Sequence, residues 1–175
     1  MNGFPDSWSH AGTEIGAQHA PTLVLGLGNI LLSDDGVGPA VLGQLADSSF
    51  SANSEVEFVD GGTQGLALLG HLSGRRALII IDALQTGAPP GTVHRLTLPE
   101  LRELSPGRAS SGHESNAGEL LAAAELLDEL PDRLFLVGVE PEKIATGLGL
   151  SAPVQRALPA ALDQVACLLS QLVSQ

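Results

Sequence analysis

The sequence predicts an α/β fold: a single three-layer domain with a twisted, mostly parallel sheet and helices on both faces. Three observations predict it. The apolar runs TLVLGLG, from Thr22, and ALIII, from Ala77 to Ile81, have the composition of parallel strands buried on both faces. Segments with helical spacing alternate with the strand-like segments along the chain. The turn clusters GGTQG, after Asp60, and GAPPG, from Gly87 to Gly91, separate elements.

The elements follow in order. Residues 1–20 lack the basic start and apolar stretch of a signal peptide and are read as a flexible extension. Residues 21–175 are read as one domain. A first strand from Thr22 leads into a glycine-rich loop. Val37, Val41, Leu42 and Leu45 then give a helix to about Ser48. EVEFVD alternates as a strand ending at Asp60, LALLGHL forms a short helix, and ALIII is a strand ended by Asp82. VHRLTL reads as an edge strand. Asn116 caps a helix to about Glu129 with Leu120, Leu121, Ala124 and Leu127 inward. RLFLVGV is the last strand. Ser151 caps a final helix with Val154, Leu158, Leu162, Val165 and Leu169 inward, and Pro159 is expected to kink or interrupt it.

Composition excludes several function classes. Hydrophobic residues make up 43% and charged residues 16%, so the chain is globular. Twenty acids against eight basic residues give a net charge of -12, which disfavours nucleic acid and anionic membranes. The single cysteine, Cys167, forms no intrachain disulfide; it is read as lying on or near the apolar face of the last helix. No apolar run approaches the ~18 residues of a membrane span. A cytoplasmic monomer is expected.

The chemistry concentrates at strand ends. GLGNILLSDDGVG, from Gly26, has two glycines of a dinucleotide fingerprint, but Leu31 stands at the third position. Asp34 and Asp35 repel a pyrophosphate. They either cap the following helix, where its dipole favours carboxylates, or serve a site. Asp82 is either a satisfied turn residue or a site residue in the crevice beyond the strands. Asp60 ends its strand in the same way. Converging carboxylates need a cation or proton between them, so the loop is a candidate metal holder. His113, in the loop SPGRASSGHESN, is either solvated or a ligand. Beside Asp35 and Asp82 it suits a borderline divalent metal, with Glu114 as an alternative. No G-x-S-x-G elbow, HExxH or CxxC is present.

The ordered motifs LVLGLGNILLSDDGVG, VDGGTQGLALLG, LIIIDAL, PGTVHRL, SSGHES, LFLVGVEPE and GLGLSAPVQRAL resemble those of the nickel–iron hydrogenase maturation endopeptidases. The resemblance runs from Thr22 into the C-terminal helix. It implies removal of a C-terminal extension from the hydrogenase large-subunit precursor after nickel insertion. It further implies metal contact by Asp35, Asp82 and His113, with nickel supplied by the precursor and cadmium or zinc able to substitute. Asp35 or Asp60 is then the candidate general base. Glu114 stands where Gln is common in the family, and the N-terminal extension is unusual. Gly26 and Gly28 would turn the loop, Gly61 and Gly62 would keep the cleft low, and Ile30, Leu31 and Leu32 either contact the substrate tail or pack under the loop. The competing readings are a non-catalytic nickel-binding accessory protein, a nucleotide-binding module and, more distantly, a serine hydrolase.

Overall fold

The computed structural model describes residues 19–46, 48–104 and 116–173. Five strands form one sheet: β1 (Thr22–Leu27), β2 (Val56–Gly62), β3 (Ala77–Ala83), β4 (Val93–Thr97) and β5 (Arg133–Val139). Their order is β2-β1-β3-β5-β4, with β4 alone antiparallel, so the edge strand read from VHRLTL is an edge strand. The helices are α1 (Val37–Leu45), α2 (Leu69–Leu72), α3 (Leu98–Leu104), α4 (Asn116–Leu126) and α5 (Ala152–Val173).

Side-chain alternation along the strands builds two cores, one on each face. Val24, Ile79, Ile81 and Val137 pack against Val37 and Val41 of α1 and Val165 and Leu169 of α5. Leu25, Leu27, Leu78 and Ile80 pack on the opposite face against Leu120, Leu121 and Ala124 of α4 and Leu72 of α2. Both faces of β3 are therefore covered, which is why its sequence is an unbroken apolar run. Chain order reverses at β1, because β2 lies on one side of it and β3 on the other. The crevice beyond the carboxyl ends of β1 and β3 is the topological switch point of the sheet.

Several elements differ from expectation. β3 runs through Asp82 to Ala83, and β2 runs through Asp60 to Gly62, so neither acid ends its strand. A 3-10 turn over Asp34–Gly36 precedes α1. The short helix α3 directly follows β4, where no helix was expected. Its start is marked by Glu100, whose Oε2 accepts from both the N–H and the hydroxyl of Thr97 at 2.7 Å. α4 begins at Asn116 itself and ends at Leu126, and Asp128 follows with φ 57°. Leu127 therefore lies beyond the helix and is exposed, not inward. Pro159 does not interrupt α5. It sits on the exposed face, and the buried stripe of Val154, Ala157, Ala161, Val165, Leu168 and Leu172 continues past it. Leu158 and Leu162 only flank that stripe. Cys167 is exposed.

At the amino ends of the strands, opposite the crevice, Arg75 is buried. It donates to the carbonyl of His71 at 2.8 Å, to the carbonyl of Ala20 at 2.5 Å and to Glu57 at 2.6 Å. His19 lies beside the same guanidinium at 3.2 Å. His19 and Ala20 thus stand against the folded core.

Candidate active site

The loop after β1 is built by backbone constraints. Gly28 has φ 124°, and a Cβ there would lie 1.8 Å from the carbonyl oxygen of Asp35, so the loop folds back on itself only with glycine. Gly38 serves a different purpose. A Cβ on it would lie 2.1 Å from the oxygen of Leu27 and 2.5 Å from that of Ile81. The start of α1 therefore rests directly on the ends of β1 and β3. Gly26 supports the same contact, because its Cβ would lie 3.0 Å from the oxygen of Gly38. Its role is packing, not turning. Gly61 is likewise buried under Leu25, Leu27 and Leu68, so of the pair only Gly62 opens onto space.

The two adjacent aspartates divide their work. Asp34 is fully buried. Its carboxylate accepts from the amides of Glu142 at 2.9 Å, Lys143 at 3.0 Å and Ser151 at 2.6 Å. Burial alone would raise its pKa, but these amides outweigh it and hold the carboxyl below its ordinary value. Asp34 is therefore a structural anchor and not a cap on α1. Neighbouring bonds extend the seam: Ser33 N–H donates to Gly147, Ser33 Oγ to Ala145, and Gly147 N–H to Leu31. Ser33 holds φ 54°, a conformation that costs about 1–3 kcal/mol for a non-glycine residue and that the seam maintains.

Asp35 points the other way. It is half-buried, and its Oδ2 accepts from Asn29 N–H at 2.7 Å. Asp82 is buried among the strand ends, with a hydrogen bond from its neighbour Ala83 N–H at 2.8 Å. Burial first, and then the charge of Asp35, raise the pKa of Asp82 to about 7. The structure thus couples two of the predicted site residues at the switch point. Asp82 alternates with Ile81 along β3, which places it on the α4 face of the sheet. α4 precedes the parallel strand β5, so it starts at the crevice end. His113, Glu114 and the loop that carries them lie outside the described residues. Among the described residues there is no group of three potential ligands.

Asp60 is not brought to this pair. It is exposed on β2 and accepts from Gly62 N–H at 3.1 Å. It lines a shallow cavity of about 180 Å³ together with Gly28, Asn29, Ile30, Pro39, Gly62 and Thr63, beside Asp35. Ile30 and Leu31 are 60% and 58% exposed, while Leu32 turns inward to pair with Gly147.

Glu140 is a buried acid to which sequence reasoning gave no role. It stands at the end of β5 and accepts from Thr86 N–H and Oγ1 at 2.8 Å and from Gly87 N–H at 3.0 Å. Burial opposes its ionisation, yet these donors and His94 keep its pKa below the ordinary value. It fixes the loop that follows Asp82. The only available signal was its place after an apolar strand, in GVEPE.

A chemical outline follows from this arrangement. Two carboxylates, one of them titrating near neutrality, can share a proton or hold a divalent cation.

Comparisons with known proteins point in one direction. The sequence model of the HycI hydrogenase maturation protease family matches residues 41–167. Hydrogenase 2 maturation protease of Escherichia coli (strain K12) is 37% identical over 150 residues, covering 85% of this chain and 90% of the relative. The hydrogenase expression/formation protein HupD of Rhizobium leguminosarum bv. viciae is 34% identical, covering 85% and 74%. Among solved structures, the hydrogenase maturating endopeptidase HybD from E. coli superposes with a TM-score of 0.74 at 35% identity, covering 86% of this chain and 92% of that one. The hydrogenase 2 maturation peptidase from Thaumarchaeota archaeon SCGC_AB-539-E09 does so with a TM-score of 0.64 at 30% identity, covering 85% and 97%.

Proposed function

The chain belongs to the hydrogenase maturation protease family, and on that premise we propose that it removes the C-terminal extension of a nickel–iron hydrogenase large-subunit precursor once nickel has been inserted. The observation that carries the chemistry is the coupled pair Asp35–Asp82 at the switch point. The half-buried Asp35 carboxylate repels the buried one of Asp82, and a divalent cation or a shared proton relieves that repulsion.

In this reading the nickel belongs to the substrate and enters with it. Asp35, Asp82 and His113 contact it, so docking through the metal makes cleavage conditional on loading. Cadmium or zinc substitutes in the same oxygen and nitrogen environment. The cation polarises the scissile carbonyl as a Lewis acid. A water attacks that carbonyl, and Asp35, the less buried carboxylate, accepts its proton. Asp35 then passes that proton to the departing amine, while Asp82, kept ionised by the cation it contacts, holds the metal in place. The carbon–nitrogen bond breaks, and a carboxylate and a free amine result. Asp60, exposed on β2 and lining the cavity that Asn29 also lines, is the alternative acceptor for the water's proton. Peptide cleavage by an aspartate pair is the aspartyl-type part of the proposal.

No observation favours the non-catalytic nickel-binding alternative, and three of the four relatives above are described as a protease, an endopeptidase and a peptidase. The test is the intact mass of a large-subunit precursor after incubation, with and without inserted nickel. Loss of a C-terminal peptide from the loaded precursor alone supports both the reaction and its dependence on loading. Equal cleavage of the nickel-free precursor removes the metal-docking step. Wild-type rates in an Asp35→Asn/Asp82→Asn double variant refute the assignment of the pair. His113→Ala tests the third ligand by the same readout.

A further inference from the structure

The cavity beside the carboxylate pair has walls unlike its surroundings. Ile30 and Pro39 supply its apolar lining, Asn29, Asp60 and Thr63 its polar lining, and Gly62 presents no side chain to it. Its volume, about 180 Å³, has room for one or two side chains. It is well below the ~300 Å³ at which small-molecule and cofactor pockets begin. It adjoins the pair directly: Gly28 packs against Asp35, and Asn29 donates to the Asp35 carboxylate. A chain lying at Asp35 reaches the cavity within one residue.

Outside the cavity the apolar surface continues. Leu31 is 58% exposed and Leu148 is 81% exposed. Isolated exposed leucines are ordinary on protein surfaces. Their segments are tied together, because Gly147 N–H, one residue before Leu148, donates to the Leu31 carbonyl and Ser33 N–H to that of Gly147. The Asp34 anchor fixes the same two loops from beneath. The surface is therefore preorganised, and ordering costs little when a ligand covers it. A rigid apolar ledge beside a pair of carboxylates, on a chain of net charge -12, suits an aliphatic peptide and repels an acidic one.

We propose that the Ile30–Pro39 cavity and the adjoining Leu31–Leu148 ledge form a specificity subsite for aliphatic side chains of the precursor's C-terminal extension. The proposal rests on the reading of the chain as a precursor-processing endopeptidase and adds to it the chemistry the extension must present. Gly62 leaves room for the peptide backbone to come close, while Ile30 and Leu148 cover its apolar side chains.

The experiment uses the full chain and a nickel-loaded precursor. Ile30→Ser and Leu148→Ser change exposed side chains, and thermal melting of each variant checks that the fold is kept. The expected result is a KM raised about tenfold by Ile30→Ser, and further in the double variant, with kcat within about twofold. Leu126→Ser, an equally exposed change on α4, leaves both constants unchanged. Serine replacements in the extension should cost wild type a similar factor, and cost the Ile30→Ser protein less at the residue that occupies the cavity. An unchanged KM in the double variant overturns the proposal. Precursor binding to the Asp82→Asn protein, measured by titration calorimetry, separates the two readings because it needs no turnover. Weaker binding on adding Ile30→Ser supports the subsite even where no cleavage occurs, and unaltered binding overturns the subsite while leaving the protease reading intact.

Discussion

Replacing Asp34 by alanine should do far more damage to the fold than replacing its neighbour Asp35. The carboxylate is fully buried and accepts three backbone amides, from Glu142, Lys143 and Ser151. Hydrogen bonds to a charged group are worth about 1.5–3 kcal/mol each. Three amides left to find water do not add independently, so the expected loss is about 3–4 kcal/mol in total. For a chain of this size that corresponds to a fall in Tm of about 10 °C. Asp35→Ala gives the internal comparison. Asp35 is half-buried, with one backbone donor and a repulsive neighbour in Asp82, so its loss should cost less than about 1 kcal/mol. The assay is thermal and urea unfolding followed by circular dichroism. The pH dependence carries a further sign. The folded pKa of Asp34 is depressed, so its contribution is present above the unfolded value of about 3.9 and disappears as pH falls through the folded pKa. The gap between wild type and Asp34→Ala should therefore narrow in acid. Equal Tm shifts for the two alanine variants, or an Asp34→Ala protein within 1 kcal/mol of wild type, would refute this division of labour.

Three other outcomes are expected. Asp82 has its pKa raised to about 7, so its ionisation opposes folding as pH rises from about 4 through 7; Asp82→Asn should raise Tm at pH 8, and the gain should vanish near pH 4. Gly38→Ala drives a Cβ into two strand-end carbonyls, so it should cost about 3 kcal/mol or more and slow cleavage by moving α1, which melting and the mass assay together would read. Arg75→Ala removes a buried guanidinium that serves Glu57 and two carbonyls; it should cost about 2–4 kcal/mol yet leave cleavage rates at permissive temperature unchanged, because it lies at the opposite end of the strands.

Much of the fold was legible because burial on both faces leaves an unmistakable signature, as in the runs that became β1, β3 and β5. The misreadings are local and have local causes. α3 follows β4 without a break in apolar character, and only the pairing of Thr97 with Glu100, a capping-box spacing, marks its start. Leu127 fits the helical stripe of α4 by spacing, but the helix has already ended. Pro159 is tolerated because it faces solvent on a helix held by its buried stripe. In the site, Asp35 and Asp82 were identifiable as acids on strand-to-helix and apolar-strand contexts. The partners that separate Asp34 from Asp35 were not, because they lie more than one hundred residues away in sequence. Glu140 went unread for the same reason: its donors come from the loop after β3, which only the sheet order brings near. The glycines were counted correctly as constraints, but what each one meets depends on tertiary approach.

The Asp34 anchor also has a meaning in time. Its amide partner on Ser151 is 117 residues downstream. A ribosome must therefore have made the chain through Ser151 before the loop bearing Asp35 can be clamped, and that partner immediately precedes α5. Contacts of such sequence separation close late. An incomplete nascent chain would carry the aspartates without the geometry that aligns them. With the proposed pair as the site of cleavage, a chain that stops before Ser151 should be unable to cut.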